Sequence, residues 1–192
     1  MKRENKDARM AEIEAAAYAL LAKFGYENIS MLKIAKAAKA SNETLYNWYG
    51  DKKGLFAAMI RRNASATLSA LDDSMLDQDV PEVVLKRASS TLLTMLMSAN
   101  AIALNKAAAG DATGELGQVL NEEGRRKVAP KFLPLIEHLN TARPAAETLE
   151  IYLSVLIGDW QIKRVIGVMA EPESTEIDAR IERAIRMVQN LS

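Results

Sequence analysis

Apolar residues recur along the first sixty residues of the chain at the spacing of amphipathic α-helices. In residues 7–24 they fall on one face, which is typical of a helix that packs against a core. Gly25 follows, and glycine tolerates the left-handed conformation that ends many helices. Ser30, Ser41 and Asp51 each precede a further apolar run, where their side chains can accept a hydrogen bond from the first turn of a helix. The pattern therefore predicts four helices in this segment.

The second and third of these helices are short, and the third covers only residues 42–48. A helix of about two turns is marginal in water by itself. Two such helices joined by residues 39–41 must therefore pack on the first helix. This order of elements is the helix-turn-helix arrangement, whose second short helix usually enters the major groove of DNA. The pattern indicates a DNA-binding segment near the N-terminus.

The rest of the chain keeps the helical period and has no alternating strand pattern, so we expect an all-α fold. Residues 72–81 are acidic and end in a proline, which favours a linker or a frayed helix end with a domain boundary nearby. Residues 110–117 are rich in glycine and are expected to form a loop. The predicted helices are 81–109 (broken near Asn100), 118–140 (with Pro130 and Pro134 inside it), 144–169 and 174–190.

The composition excludes several kinds of active site. The chain has no cysteine and a single histidine, His138, which excludes disulfides, cysteine nucleophiles and thiolate zinc sites. The carboxylates do not cluster at metal-ligand spacing or converge in pairs, so we expect no metal, no cofactor and no enzyme activity. No apolar run reaches transmembrane length, and the charged first ten residues are not followed by an apolar block. We therefore expect a cytoplasmic protein with no signal peptide and no membrane partner.

The net charge of zero hides an uneven distribution along the chain. Residues 1–62 hold 12 Lys and Arg against 7 Asp and Glu, whereas the remainder holds 13 against 18. A basic front favours contact with a polyanion such as DNA. A chance fluctuation on a helical surface would give the same numbers, so the charge alone leaves both interpretations open.

A set of residues in the first segment matches a known family in type and spacing: Gly25-Tyr26, Ile34-Ala35-Lys36-Ala37-Ala38, Ser41, Thr44-Leu45-Tyr46-Asn47-Trp48-Tyr49, Lys52 and Leu55-Phe56. Over roughly residues 8–60 the chain resembles the N-terminal domain of TetR-like (TetR/AcrR, tetracycline-repressor-like) transcriptional regulators. The resemblance implies an all-α fold of about nine helices. It also implies a three-helix helix-turn-helix DNA-binding domain at 1–60 and a larger helical ligand-binding and dimerisation domain at 61–192.

The same resemblance implies which residues contact a double-stranded DNA operator. Base edges would be read from the start of the third helix by Asn42, Glu43 and Thr44, whose side chains suit adenine, cytosine and thymine respectively. The sugar-phosphate backbone would be held by a second set of residues. These are Lys33, Lys39, Tyr46, Trp48 and Lys52, with Lys2, Arg3 and Lys6 as a basic arm.

The three rings of Tyr46, Trp48 and Tyr49 have an alternative interpretation as core residues. A helix this short cannot turn all three inward, so we expect Tyr49 in the core and the other two towards DNA. Two positions depart from the family pattern. Lys39 stands where glycine is usual in the turn, which predicts a strained backbone or a phosphate contact, and Glu43 stands where a small residue is common.

The segment from residue 145 to 169 is apolar on two stripes, and a helix that is apolar nearly all round must be buried. The resemblance implies that the last two helices of each chain form a dimer interface, and a two-fold dimer suits a palindromic operator. The alternative is a monomer whose middle helices cover both stripes. The predicted interface residues are Ile151, Val155, Ile162, Ile166, Ile181, Ile185 and Val188.

Members of the resembling family usually bind a small ligand in the rear domain, and ligand sites are largely apolar with a few polar groups. The candidate pocket residues are Leu92, Met95, Leu96, Ala99, Ile102, Leu120, Phe132 and Trp160. For each of these the alternative is an ordinary core residue. Asp159 is expected to pair with Lys163 one turn on, and His138 to lie on the surface or at a helix end.

The sequence therefore predicts a ligand-responsive, dimeric regulator of transcription, a repressor that a small hydrophobic effector releases from a palindromic operator. The proline pair at 130 and 134 would kink a middle helix that transmits ligand binding to the DNA heads. The alternatives are a helical adaptor, or an activator of the same fold without a small-molecule effector. An enzyme built on helices is disfavoured by the missing catalytic groups.

Overall fold

The computed structural model describes residues 3–75, 80–139 and 142–190, and this part of the chain is helical without a strand. The all-α prediction is confirmed. The helices in chain order are α1 (Arg3–Phe24), α2 (Met31–Ala37), α3 (Asn42–Tyr49), α4 (Lys52–Met75), α5 (Pro81–Met97), α6 (Ala99–Ala109), α7 (Glu115–Leu120), α8 (Arg126–Ile136), α9 (Ala145–Ile157), α10 (Trp160–Val165) and α11 (Ser174–Gln189), with a π-helical turn at Asn121–Arg125 before α8.

The chain divides into two compact units. The first comprises residues 1–62 and 103–121, and the second comprises residues 63–102 and 122–192. The first unit thus takes up the later part of α6 and all of α7, and Leu104, Ala107 and Leu116 lie in its apolar core. The functional division at residue 60 into a DNA-binding domain and a ligand-binding and dimerisation domain stays a prediction.

The helix ends of the first unit follow the capping residues that the sequence predicted. Gly25 ends α1 with φ of 71°, which a residue with a β-carbon rarely adopts. Ser30 accepts a hydrogen bond from the backbone N–H of Lys33, and Ser41 accepts one from Thr44 at 3.0 Å. Asp51 caps α4 in the same way by accepting from Gly54 at 2.7 Å. These three caps are confirmed.

The predicted helix over 144–169 is in fact two helices, because the backbone turns sharply at Gly158, where φ is 51°. A β-carbon on this glycine would lie 1.8 Å from a guanidinium nitrogen of Arg180, so the side chain fills that space. The Nε of Arg180 donates to the carbonyl of Leu156 at 3.0 Å and so satisfies a carbonyl at the end of α9. Sequence periodicity missed this break because the apolar pattern continues through it.

The predicted break near Asn100 lies at Ser98, where the backbone is extended between α5 and α6. The Nε and Nη2 atoms of Arg164 donate to the freed carbonyl of Met97 at 3.0 and 2.9 Å. Counting each of the two broken helices once gives nine helices in the described residues, as the resemblance implied.

Smaller differences concern the loops. Residues 72–75 are the last residues of α4, which fits the helix-end alternative rather than the linker, and α7 begins inside the predicted glycine-rich loop. Asp111 explains the early start of α7, because its carboxylate accepts from the backbone N–H of Leu116 at 2.9 Å. Pro130 and Pro134 both lie inside α8, as predicted.

The core of the second unit is built from α5, α8, α9 and α11. The apolar stripe of α11 faces α9 and α5, and Phe132 of α8 and Tyr152 of α9 are fully buried. The Tyr152 hydroxyl and the Ser89 hydroxyl share a hydrogen bond of 2.6 Å inside this core. Among the described residues no single helix has the length and apolar character needed to span a membrane, and only the bent pair of α5 and α6 meets that test together.

Candidate nucleic-acid interface

The α3 helix has one face in the core and one in solvent. Leu45 and Tyr49 are buried, with 0% and 8% of their surface exposed, whereas Asn42 and Glu43 are exposed at the first turn. The Thr44 hydroxyl shares a hydrogen bond of 2.7 Å with Ser41 in the N-terminal cap. The helix therefore presents the amide of Asn42 and the carboxylate of Glu43 to the outside.

The three rings of α3 separate, and Tyr49 faces inward as the sequence predicted. Tyr49 is in the core, and Tyr46 is 49% exposed. Trp48 is half-buried against the core of the first unit, and the Lys6 ammonium lies 5.5 Å from the centre of its ring. Tyr46 is therefore free to reach a partner, and Trp48 offers only part of its ring.

The turn between α2 and α3 contains a strained residue. Lys39 is the one residue other than glycine with positive φ (51°) in the part of the chain that the structure describes. Its carbonyl accepts a hydrogen bond of 2.6 Å from Nη2 of Arg9, which also pairs with Glu12 on α1. This positive φ confirms the strained conformation predicted for the position. The hydrogen bond from Arg9 and the flanking helices hold the residue in it.

Two of the predicted phosphate-binding lysines are held close to the loop before α2. The Lys33 ammonium donates to the Asn28 carbonyl at 2.7 Å, and the Lys52 ammonium donates to the Tyr26 carbonyl at 3.0 Å. The Lys52 ammonium also lies 4.0 Å from the centre of the Tyr26 ring. An ammonium has three N–H donors, so each lysine keeps donors for a phosphate after making its internal bond.

The first unit also contains a buried carboxylate that the sequence pattern did not indicate. Glu14 of α1 is 4% exposed, and Nε of Arg62 on α4 lies 3.1 and 3.0 Å from its two oxygens. Burial raises the pKa of Glu14, and the charge and hydrogen bond of Arg62 oppose that rise. Burial also raises the pKa of Tyr18 and of Tyr49 to about 12, and the Glu14 charge adds to both shifts.

The candidate pocket residues do not all come together. Leu92 and Phe132 are buried in the core of the second unit, and Met95, Leu96 and Trp160 pack against it. Ile102 is buried, Ala99 is exposed, and Leu120 packs on the core of the first unit instead. Their assignment to a pocket stays a prediction. The sequence pattern did not indicate the buried hydroxyl groups of the second unit, which include those of Thr148, Ser89 and Tyr152.

The predicted interface residues also differ in their exposure. Ile181, Ile185 and Val188 are buried with at most 2% exposure, because α11 uses its apolar stripe within its own chain. This corrects their placement on a face between chains. Ile151 and Val155 are half-buried, and Ile162 and Ile166 are open, with exposures of 56% and 62%. Val168 and Met187, which the sequence analysis did not assign to the interface, are also open, with exposures of 69% and 45%.

Two polar predictions of the second unit agree with the structure. The Lys163 ammonium lies 2.6 Å from a carboxylate oxygen of Asp159, and the pair lowers the pKa of Asp159. His138 is exposed in the turn after α8. Among the described residues no group of three or more His, Cys, Asp or Glu side chains could hold a metal ion.

Comparisons with known proteins agree with this geometry. Residues 13–59 match the family model of bacterial regulatory proteins of the tetR family. The fold is similar to a protein from Mesorhizobium loti described as a TetR-family transcriptional regulator (TM-score 0.75, 19% identity, 98% of this chain and 97% of that one). A TetR transcriptional regulator from Agrobacterium tumefaciens matches with a TM-score of 0.69 at 27% identity over 93% and 91% of the two chains.

The transcriptional regulator FadR from Bacillus subtilis, solved in complex with stearoyl-CoA, has the same fold, with a TM-score of 0.74 at 13% identity over 94% and 97% of the chains. No curated protein matches the sequence.

Proposed function

We propose a ligand-responsive, dimeric repressor of transcription, from the premise that this chain carries a TetR-family DNA-binding segment on the fold of TetR-family transcriptional regulators. The observation that carries the proposal is the two-sided α3 helix. Leu45 and Tyr49 anchor it, while Asn42 and Glu43 lie open at its first turn. A short helix anchored on one face and polar on the other is suited to reading base edges in a major groove.

In this proposal the backbone contacts surround the reading helix. Tyr46 offers a hydroxyl on a rigid ring, and Lys33, Lys39 and Lys52 offer N–H donors from α2, the turn and α4. Hydrogen bonds to phosphate fix the register of a protein on the duplex, whereas base contacts give the sequence preference. Trp48 and Lys6 would add a partly exposed ring and a cation at the edge of the same surface.

The dimer part of the proposal is supported by the open apolar side chains of Ile162, Ile166 and Val168 in the second unit. An exposed apolar set of this kind favours contact with another surface. A two-fold dimer would place two α3 helices roughly 34–36 Å apart, which is one turn of the duplex, and would therefore read a palindromic operator. In a bacterium such a repressor acts in the cytoplasm.

The effector part is supported by the apolar core of the second unit and by the FadR relative, which binds stearoyl-CoA in its structure. A small hydrophobic molecule that binds one conformation of the chain better than another would shift the population away from the DNA-binding form. The size of the shift is set by that difference in affinity.

Selection of bound sequences from a random duplex library tests the DNA function. We expect an enriched palindrome whose affinity falls steeply with salt, because phosphate contacts release counterions. Tyr46→Phe should then weaken binding to all sequences alike, whereas Asn42→Ala should change the base preference at one position of each half-site. No enriched sequence and no binding at low salt would contradict the proposal and favour an adaptor.

Repression and the effector need separate measurements. We expect the enriched palindrome to silence a reporter promoter only when the chain is expressed, and activation of the reporter would contradict the repressor role. A panel of small hydrophobic compounds should contain members that raise the melting temperature and release the duplex. Pro130→Ala should weaken this release without changing DNA affinity in the absence of the compound, and unchanged release would remove the proline pair from the mechanism.

A further inference from the structure

Glu14 occupies a position in α1 where an apolar residue would be expected. Its chain neighbour Ile13 and Ala17 one turn on are fully buried, and Glu14 itself lies in the same interior with 4% of its surface exposed. A carboxylate in the interior loses its hydrogen bonds to water, and only a cation or a strong hydrogen-bond donor can replace them. Its presence in the core of a DNA-binding unit therefore calls for a physical reason.

The partner is Arg62, which lies 48 positions further along the chain on α4. One nitrogen, Nε, contacts both carboxylate oxygens, and the Arg62 side chain is 43% exposed. The pair is thus dry at the carboxylate end and open to water at the guanidinium end. It connects α1 to α4 through a bond whose geometry is more exacting than an apolar contact.

The reading helix ends in the same apolar core as Ile13 and Ala17, the neighbours of Glu14 on α1. Tyr49 is the last residue of α3, and its buried hydroxyl has no hydrogen-bond partner among the residues that the structure describes. Burial raises the pKa of this phenol to about 12; the charge of Glu14 adds to the rise and the charge of Arg62 opposes it. Tyr18 of α1 is the other phenol whose pKa responds to Glu14.

We propose that Glu14 is a positioning residue for DNA reading. Through its ion pair with Arg62 it sets the distance between α1 and α4. Because Tyr49 is anchored in the core that these two helices help to build, the pair also sets the orientation of α3. The inference rests on the proposed DNA-binding function. The ion pair then serves the accuracy of the base contacts rather than the stability of the fold.

A general property of buried ion pairs supports this division. Such a pair often stabilises a fold no better than apolar residues of the same volume, because desolvation offsets the attraction. Hydrogen bonds to base edges weaken steeply when the distance or angle is wrong, so a small rotation of α3 would affect specific binding first. Non-specific binding depends on charge and tolerates such a rotation.

The test is Glu14→Gln in the full chain, which keeps the size of the side chain and an oxygen for Arg62. The probes are the duplex enriched by wild-type protein and a scrambled duplex of the same length and composition. We expect about a ten-fold loss of affinity for the enriched duplex, the size of one weakened base contact. Affinity for the scrambled duplex should stay equal or rise, since a negative charge has been removed.

The matched control is Asp7→Asn, which removes the same charge from an exposed position of the same helix. It should leave the ratio of specific to non-specific affinity unchanged. Arg62→Lys is the second variant, because lysine keeps the charge but lacks the planar guanidinium. We expect it to lower the same ratio. Urea unfolding should show that Glu14→Gln is no less stable than wild type.

Two results would overturn the inference. One is a Glu14→Gln protein that keeps its full ratio of specific to non-specific affinity. The other is a parallel loss for both duplexes that follows a loss of stability. A wild-type chain that enriches no duplex would instead remove the proposed function, so the two failures are distinguishable.

Discussion

Each compact unit contains a polar link inside an apolar core, and the two links differ in charge. In the first unit the link is ionic and joins Glu14 to Arg62, whose guanidinium remains open to water. In the second unit it is neutral and joins Ser89 to Tyr152, both with 0% exposure. Burial raises the pKa of the Tyr152 phenol to about 12, so this link stays uncharged at any ordinary pH.

The difference shows what each kind of link can provide. A neutral hydroxyl pair satisfies two buried groups at little electrostatic cost and fits a closed core. An ionic pair costs desolvation energy but fixes its partners in direction and distance. The ionic link lies in the unit that contains α3, where direction would affect base contacts, and the neutral link lies in the closed core of the second unit.

The two tryptophans allow the units to be measured separately. Trp48 lies in the first unit and Trp160 in the second. A Trp160→Phe background therefore makes fluorescence report on the first unit, and a Trp48→Phe background makes it report on the second. Urea unfolding in these two backgrounds then gives the unfolding free energy of each unit.

Arg62→Met should have the largest effect on stability. It leaves the buried Glu14 carboxylate without a cation, and we expect the first unit to lose about 2 kcal/mol of unfolding free energy. The second unit should not change. Lys106→Met, at an exposed lysine of the first unit, is the control and should change stability by less than about 0.5 kcal/mol. Equal losses in both variants would contradict a special role for the ion pair.

Tyr152→Phe should lower the unfolding free energy of the second unit by about 1–2 kcal/mol, because Ser89 keeps a buried hydroxyl without its partner. Adding Ser89→Ala should recover most of this loss, since both polar groups are then gone. If the double variant is as unstable as the sum of the two single ones, the hydroxyl pair is not coupled and the interpretation of a neutral link is wrong.

Lys39→Gly should raise the unfolding free energy of the first unit by about 0.5–1 kcal/mol. Glycine adopts a positive φ without strain, and this gain is larger than the loss caused by the greater freedom of glycine in the unfolded chain. The sharp turn of the second unit, by contrast, already has glycine at its positive-φ position, Gly158. Lys39→Ala keeps the β-carbon and therefore the strain. A gain of the same size from alanine would show that strain is not the cause.

The pH dependence should have the smallest effect, and the contribution of Glu14 should have the opposite sign to those of Asp159 and Glu182 in the second unit. The pKa of Glu14 is raised in the fold, so its contribution is fully present below its unfolded pKa of about 4.5 and is lost as pH rises through the raised value. Asp159 and Glu182 of the second unit have lowered pKa values, and their contributions are lost as pH falls. The Asp159 side chain is 55% exposed and the Glu182 side chain 43%, so solvent screening keeps these contributions small.

The measurement is urea unfolding from pH 4 to pH 7 on wild type and Glu14→Gln. As pH rises, the unfolding free energy of Glu14→Gln should increase relative to that of wild type, and only in the first unit. The difference between the two proteins cancels groups such as Asp111, whose pKa is lowered. A gap that stays constant with pH would mean that Glu14 does not titrate differently in the fold.

Local signals predicted much of the first unit. Ser41 and Asp51 cap helices because a short side chain just before a helix reaches its first N–H groups wherever the fold goes. The inward turn of Tyr49 and the strain at Lys39 likewise follow from short-range geometry. The pair of Asp159 and Lys163 was predictable because residues four apart share a helix face.

Contacts between distant parts of the chain were not predictable in the same way. Arg9 holds the carbonyl of Lys39, 30 positions away, and Arg164 holds that of Met97, 67 positions away. Each arginine is an ordinary surface residue by its local pattern. The break at Gly158 was missed for the same reason, because the Arg180 side chain that fills it comes from α11.

The sequence by itself determined the helical fold class, the helix caps of the first unit and which face of α3 is polar, because these depend on residues within a turn or two of each other. Only the tertiary structure decided that the apolar stripe of α11 is buried within its own chain, leaving Ile162 and Ile166 open. It also decided that Glu14 meets Arg62. An amphipathic pattern states that a face must be covered, whereas the packing of the whole chain selects what covers it.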